Sequence, residues 1–177
     1  MGIELYVGVD DSNHAGTVRG EIVLATFSRV HEDSIVRNFN EVRNQELALK
    51  WMESPERDYR FSILFGENWR RSSTNLVYAA PILIDAYLQE NQLPDLETIK
   101  VYLDGPLSSG GRERLRKELE YIPKQVIDNF TKIKHYKLGK QKCPTVVYMA
   151  DFWAHHTFRQ GIENGLTSKK YVPMIEL

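Results

Sequence analysis

The segment VGVDDSNHAG, residues 7–16, decides how the chain is read. It continues an apolar run over residues 4–9 whose Leu, Tyr and Val content is that of a β-strand. It then enters a polar, Gly-containing stretch, residues 10–20, with the composition of a turn. EIVLATFSRV, residues 21–30, is strand-like again and pairs naturally with the first run as a hairpin. Two adjacent acids, Asp10 and Asp11, stand where the first strand ends. Side chains alternate along extended chain, so the two are expected to face opposite sides of the sheet.

Outward from the hairpin, residues 31–40 read as a third strand around 34–37 or as a loop. Residues 44–53 have helical spacing, with Leu47, Leu49, Trp51 and Met52 as candidate buried positions and Pro55 as the stop. RFSILFG, residues 60–66, is a strand. Residues 72–92 read as a long helix, with Pro81 inside the pattern and a kink or break expected there. IKVYL, residues 99–103, is a strand ended by Asp104-Gly105-Pro106. Residues 110–120 form a charged helix with Arg114 and Glu118 one turn apart. Residues 126–136 read as a strand, 137–142 as a basic loop, and 144–159 as a helix opened by Pro144. Residues 171–177 are expected to dock on the body. This order gives an α/β fold: one domain over residues 1–177, with a mixed sheet built from an antiparallel N-terminal hairpin plus parallel strands, and helices on its faces.

Bulk properties exclude several classes. The 177 residues are 42% hydrophobic and 27% charged, as in an ordinary globular domain. A net charge of -1 provides no global basic field, although lysines 132, 134, 137, 140 and 142 form a local run. The single cysteine, Cys143, permits no intramolecular disulfide and is read as structural. No apolar run approaches the roughly 20 residues of a membrane helix, and the N-terminus lacks signal-peptide features. A cytoplasmic protein without a membrane partner is expected. SSGGRER, residues 108–114, lacks phosphate-loop spacing, and no Gly-x-Ser-x-Gly elbow is present.

The chemistry rests on carboxylates. Asp10 and Asp11 end the first strand, Asp104 ends the strand VYLD, and Asp151 interrupts the apolar helix YMADFWAHH. If the first strand and the Asp104 strand are parallel neighbours, their acids meet at one sheet edge, and a helix crossing that edge adds Asp151. Acids packed in this way repel unless divalent cations neutralise them. Oxygen ligands suit Mg²⁺ or Mn²⁺, and a two-ion site hydrolyses phosphodiesters. Each acid also has a plain structural reading: Asp ends strands and sits before Gly in turns. Asp151 fits that reading least, because Asp is a poor helix-interior residue. His155, one turn after Asp151, is a candidate to orient it; His31 reads as a surface or satisfied core residue.

The organisation resembles the ribonuclease H-like superfamily, and within it the type 2 ribonucleases H. That family opens with a strand ending in Asp-Glu-Ala-Gly-Arg-Gly, where this chain has Asp10-Asp11-Ser12-Asn13-His14-Ala15-Gly16. Asp104 in VYLDG matches the family's strand-ending Asp. Lys134-His135 and the Lys142-Cys143-Pro144 step into the last helix match its later motifs. The resemblance implies a nuclease acting on RNA, DNA or a hybrid, with two Mg²⁺ or Mn²⁺ ions. It implies Asp10, Asp104 and Asp151 as metal ligands, with Asp11 assisting catalysis. Ser12, Asn13, His14, Gly16, Lys134 and His135 are implied as nucleic-acid contacts. The chain departs from the family at Asp11, at the Gly-Arg-Gly segment, and near Lys140, where the family carries its last acid. A non-catalytic ribonuclease H-like domain that binds nucleic acid or a protein partner is the alternative. A sugar-kinase-like phosphotransfer domain shares the strand-Asp start but has more than one short domain.

Overall fold

Strand β1 (Ile3–Asp11) lies at the centre of a five-stranded mixed sheet in the computed structural model. Residues 2–12, 21–31, 34–38, 45–64, 73–105, 107–130, 140–160 and 168–173 are described. After β1 come β2 (Glu21–Ser28), β3 (Ser34–Asn38), α1 (Gln45–Met52), β4 (Arg57–Leu64) and α2 (Ser73–Asn91). They are followed by β5 (Leu96–Asp104), α3 (Ser109–Glu118), β6 (Lys124–Phe130), β7 (Lys140–Pro144) and α4 (Thr145–Gln160). The sheet order is β4-β2-β1-β5-β6. β2 runs antiparallel to both its neighbours, while β1, β5 and β6 are mutually parallel. The expected hairpin and the expected parallel neighbours are therefore both present.

Alternation sorts the core. Leu5, Val7 and Val9 on β1 join Val23, Ala25 and Phe27 on β2, and Ile99, Val101 and Leu103 on β5, against α2 and α3. Tyr6, Ile22, Leu24, Phe61 and Ile63 face the other way, against α4 and α1. Both faces are covered, which is why β2 reads as a continuous apolar run. No helix among the described residues is long and apolar enough to cross a membrane.

Several expectations need correction. Asp10 and Asp11 belong to β1, not to a turn, because the ladder to β2 continues through Asp10–Leu24 and Asp11–Val23. β3 forms, but it pairs with β7 in a separate two-stranded sheet. The basic loop expected over 137–142 is strand from Lys140 onward. Pro144 closes that strand, and α4 begins at Thr145. α2 continues through Pro81, so the proline does not split the helix. Leu76, Ala79, Ala80, Leu83, Ile84 and Tyr87 are all buried along it. That burial exceeds the roughly 3 kcal/mol a helix-interior proline costs. On α1, Leu47 and Leu49 are 39% and 49% exposed. Ala48 and Trp51, three residues apart, define the buried stripe, and residues on either side of Ala48 point about 100° away from it. Arg114 lies 3.8 Å over the Tyr78 ring, where pairing with Glu118 was expected. The described part of the C-terminal segment docks as expected: the Phe61 N–H donates to Lys170 O at 3.0 Å and the Val172 N–H to Phe61 O at 2.8 Å, while residues 174–177 lie outside the described residues.

Candidate functional site

Val9 of β1 lies opposite Leu103 of β5 in the parallel register. Asp10 and Asp104 are the next residues on these strands. They stand side by side, since neighbouring strands lie about 4.8 Å apart. Val9 and Leu103 pack toward α2 and α3. Alternation therefore sends Asp10 and Asp104 to the α4 face. From the end of β1 the chain turns toward β2 on one side. From the end of β5 it leaves through α3 toward β6 on the other. Strand ends from which the chain departs to opposite sides are the places where open α/β sheets commonly bind ligands.

Asp10 is 6% exposed, and its Oδ1 accepts the Asp11 N–H at 2.8 Å. Asp11 is also buried, but it sits opposite Val23 and so belongs to the α2 face. Glu21, two residues before Val23, is a buried carboxylate on that same face, accepting from Asn75 Nδ2 at 3.4 Å. Sequence reading passed over Glu21 as a strand residue; the available signal was an acid heading an otherwise apolar run. Ser12 is fully buried. Its N–H donates to Ile22 O at 2.9 Å and its hydroxyl accepts the Ile22 N–H at 3.1 Å. These bonds fasten the end of β1 to β2. Asn13, His14, Gly16, Lys134 and His135 lie outside the described residues.

Asp151 is 4% exposed in α4, and His155 Nε2 lies 3.4 Å from its Oδ1, one turn further on. The contact anticipated from the i, i+4 spacing is present. α4 lies very close to the sheet. A Cβ added at Gly8 would meet the Val146 carbonyl and stand 2.5 Å from Val147 N. The buried Thr26 hydroxyl donates to Val146 O at 2.7 Å, holding the first turn of α4 against β2. Further along α4, Trp153 stacks on Tyr59 of β4 with ring centroids 5.4 Å apart.

The donor set can be tested against a divalent ion. Asp10 and Asp104 provide hard oxygens on one face, and Mg²⁺ is commonly held by one or two carboxylates with water and substrate phosphate completing its shell. The pair fits that requirement. Among the described residues, however, no three His, Cys, Asp or Glu side chains form a group able to hold an ion, so Asp151 does not complete a three-carboxylate cage with them. No protein-family model matches the sequence, and comparison with curated proteins returns no match either.

Proposed function

We propose that the chain is a metal-dependent nuclease of the ribonuclease H-like kind, with Asp10 and Asp104 as its paired metal ligands. One observation carries the reading: two carboxylates stand on the same face at the ends of adjacent parallel strands, at the point where the connections diverge. The strand order, with β2 alone reversed, supports a ribonuclease H-like fold. Mg²⁺ or Mn²⁺ bound there would supply Lewis-acid activation of water and charge neutralisation at a phosphodiester. The chain's own groups do the rest. The backbone N–H of Asp11 fixes the rotamer of Asp10. His155 orients Asp151, which is buried within α4 on its sheet-facing side. Gly8 and Thr26 set the height of α4 above the acids.

The test is Mn²⁺ titration by calorimetry, with cleavage of labelled RNA, DNA and hybrid substrates. Wild type is expected to bind Mn²⁺ and cleave, and chelation to stop cleavage. Asp10→Asn and Asp104→Asn should each lower the rate by at least about 100-fold with an unchanged circular dichroism spectrum. Retained cleavage in folded Asp10→Asn sinks the proposal. The missing third carboxylate among the described residues favours one other reading, a non-catalytic domain that binds nucleic acid. That reading expects saturable, salt-weakened binding without cleavage.

A further inference from the structure

At the far end of β1, about 20 Å from Asp10 by strand rise, a cavity of about 690 Å³ opens. Glu4 and Tyr6 reach it from β1, and Thr98, opposite Glu4, reaches it from β5. The Tyr6 hydroxyl donates to Glu4 Oε2 at 2.8 Å and accepts from Lys100 Nζ at 3.2 Å. A carboxylate has no proton to give, so the single Tyr6 proton is committed to Glu4. His31 Nδ1, 2.8 Å from the same hydroxyl, must therefore donate to it. Lys100 also bonds Glu4 at 2.8 Å and lies 4.8 Å over the Tyr6 ring. Its hydrogen bond holds the Glu4 carboxyl below the ordinary range, and Glu4 in turn raises the Lys100 ammonium. These two charges cancel.

Other groups at the cavity have no such partner among the described residues. Thr98 is only 6% exposed, yet its hydroxyl bonds no described residue. Arg29 gives Nη2 to Pro55 O at 2.9 Å, and no described carboxylate pairs with its guanidinium. Glu56 and Glu97 are exposed carboxylates without an ion pair among the described residues. With Glu4 and Lys100 cancelled, two acids face one guanidinium, a net charge of one negative. A ligand that satisfies them needs one anionic group for Arg29 and two cationic groups for the glutamates. The volume lies within the roughly 300–1,000 Å³ of small-molecule sites.

We propose that this cavity binds a basic amino acid, its carboxylate held by Arg29 and the Thr98 hydroxyl and its two amines by Glu56 and Glu97. The site is independent of the nuclease reading. Isothermal calorimetry and amide chemical-shift mapping on the full chain test it, with L-lysine as probe. Cadaverine, which lacks the carboxylate, and L-norleucine, which lacks the side-chain amine, serve as controls. Saturable L-lysine binding is expected, with amide shifts around residues 2–6, 29–31 and 97–98, and each control at least about tenfold weaker. Arg29→Met should weaken binding by at least about tenfold and Thr98→Val by a few fold, with Arg29→Lys between wild type and Arg29→Met. Wild-type melting temperatures in these variants exclude unfolding as the cause. Absence of saturable binding to the wild type, equal binding of cadaverine, or full affinity in folded Arg29→Met overturns the proposal.

Discussion

Gly8→Ala is the sharpest probe of how α4 is seated. The added methyl would lie 2.5 Å from Val147 N, against a lower limit near 3.4 Å for ordinary contact. Its neighbours there are helix backbone, which cannot rotate away. α4 must therefore retreat by at least 3.4 − 2.5 = 0.9 Å. Moved by that amount, the 2.7 Å bond from Thr26 Oγ1 to Val146 O lengthens to about 3.6 Å and is lost. Overpacking costs about 1–3 kcal/mol and the hydrogen bond about 1 kcal/mol more, or roughly 2–4 kcal/mol together. For a domain of this size the melting temperature should fall by about 5–15 °C. Thermal circular dichroism reads this directly. If the chain cleaves nucleic acid, the same 0.9 Å displacement of Asp151 should cost up to about 100-fold in rate. A Gly8→Ala protein melting within a degree of wild type would refute the close approach and the positioning argument with it.

Two further outcomes follow from packing and charge. Burial raises the Asp58 carboxyl, but hydrogen bonds from Lys170 and Arg60 outweigh it and hold the group below its ordinary value. A depressed folded pKa stabilises the protein above the unfolded value near 3.9, and that stability is lost as pH falls through the folded value. Arg60 is buried and keeps Glu90 at 2.5 Å, so Asp58→Asn should cost about 2 kcal/mol at pH 7, less than the loss of a sole partner. In urea titrations the difference from wild type should shrink below about pH 4; a gap unchanged at pH 3 would contradict the ion-pair account. On α1, Trp51→Ala should cost about 3–5 kcal/mol, while Leu49→Ala should change stability by less than about 0.5 kcal/mol. The opposite order would show that the helix face has been assigned wrongly.

What was legible in the chain depended on whether a signal was local. Apolar runs placed β1, β2 and β5, and the condition on which convergence of their acids depended, that β1 and β5 be parallel neighbours, is met in the Val9–Leu103 register. β7 was missed because Lys140, Gln141 and Lys142 have the composition of a solvated loop, and their strand state comes from pairing with β3 about a hundred residues earlier. Arg114 and Glu118 satisfied a local helix rule, yet the Tyr78 ring of α2 took the arginine. The site follows the same pattern. Alternation alone separated Asp10 from Asp11, whereas only the pairing of β1 with β2 places Glu21, an acid heading an apolar run, on the Asp11 face.

The face parity of β1 ties the acid to the helix above it. Leu5, Val7 and Val9 are buried toward α2, so Tyr6, Gly8 and Asp10 must face α4. α4 lies low only because position 8 has no side chain, and Asp10 stands two residues further along that same face. A one-residue slip of register would bring Val7 or Val9 under the Val146 carbonyl and turn Asp10 into the α2 core. The Cβ clash at Gly8 indicates what a valine there would meet, and three apolar side chains would exchange faces at the same time. Register, helix height and the orientation of the first carboxylate are therefore one constraint, written in the four residues Val7-Gly8-Val9-Asp10. The pairing of β1 with β5 then brings Asp104 beside Asp10 without further specification, because both strands obey the same alternation from the Val9–Leu103 pair onward.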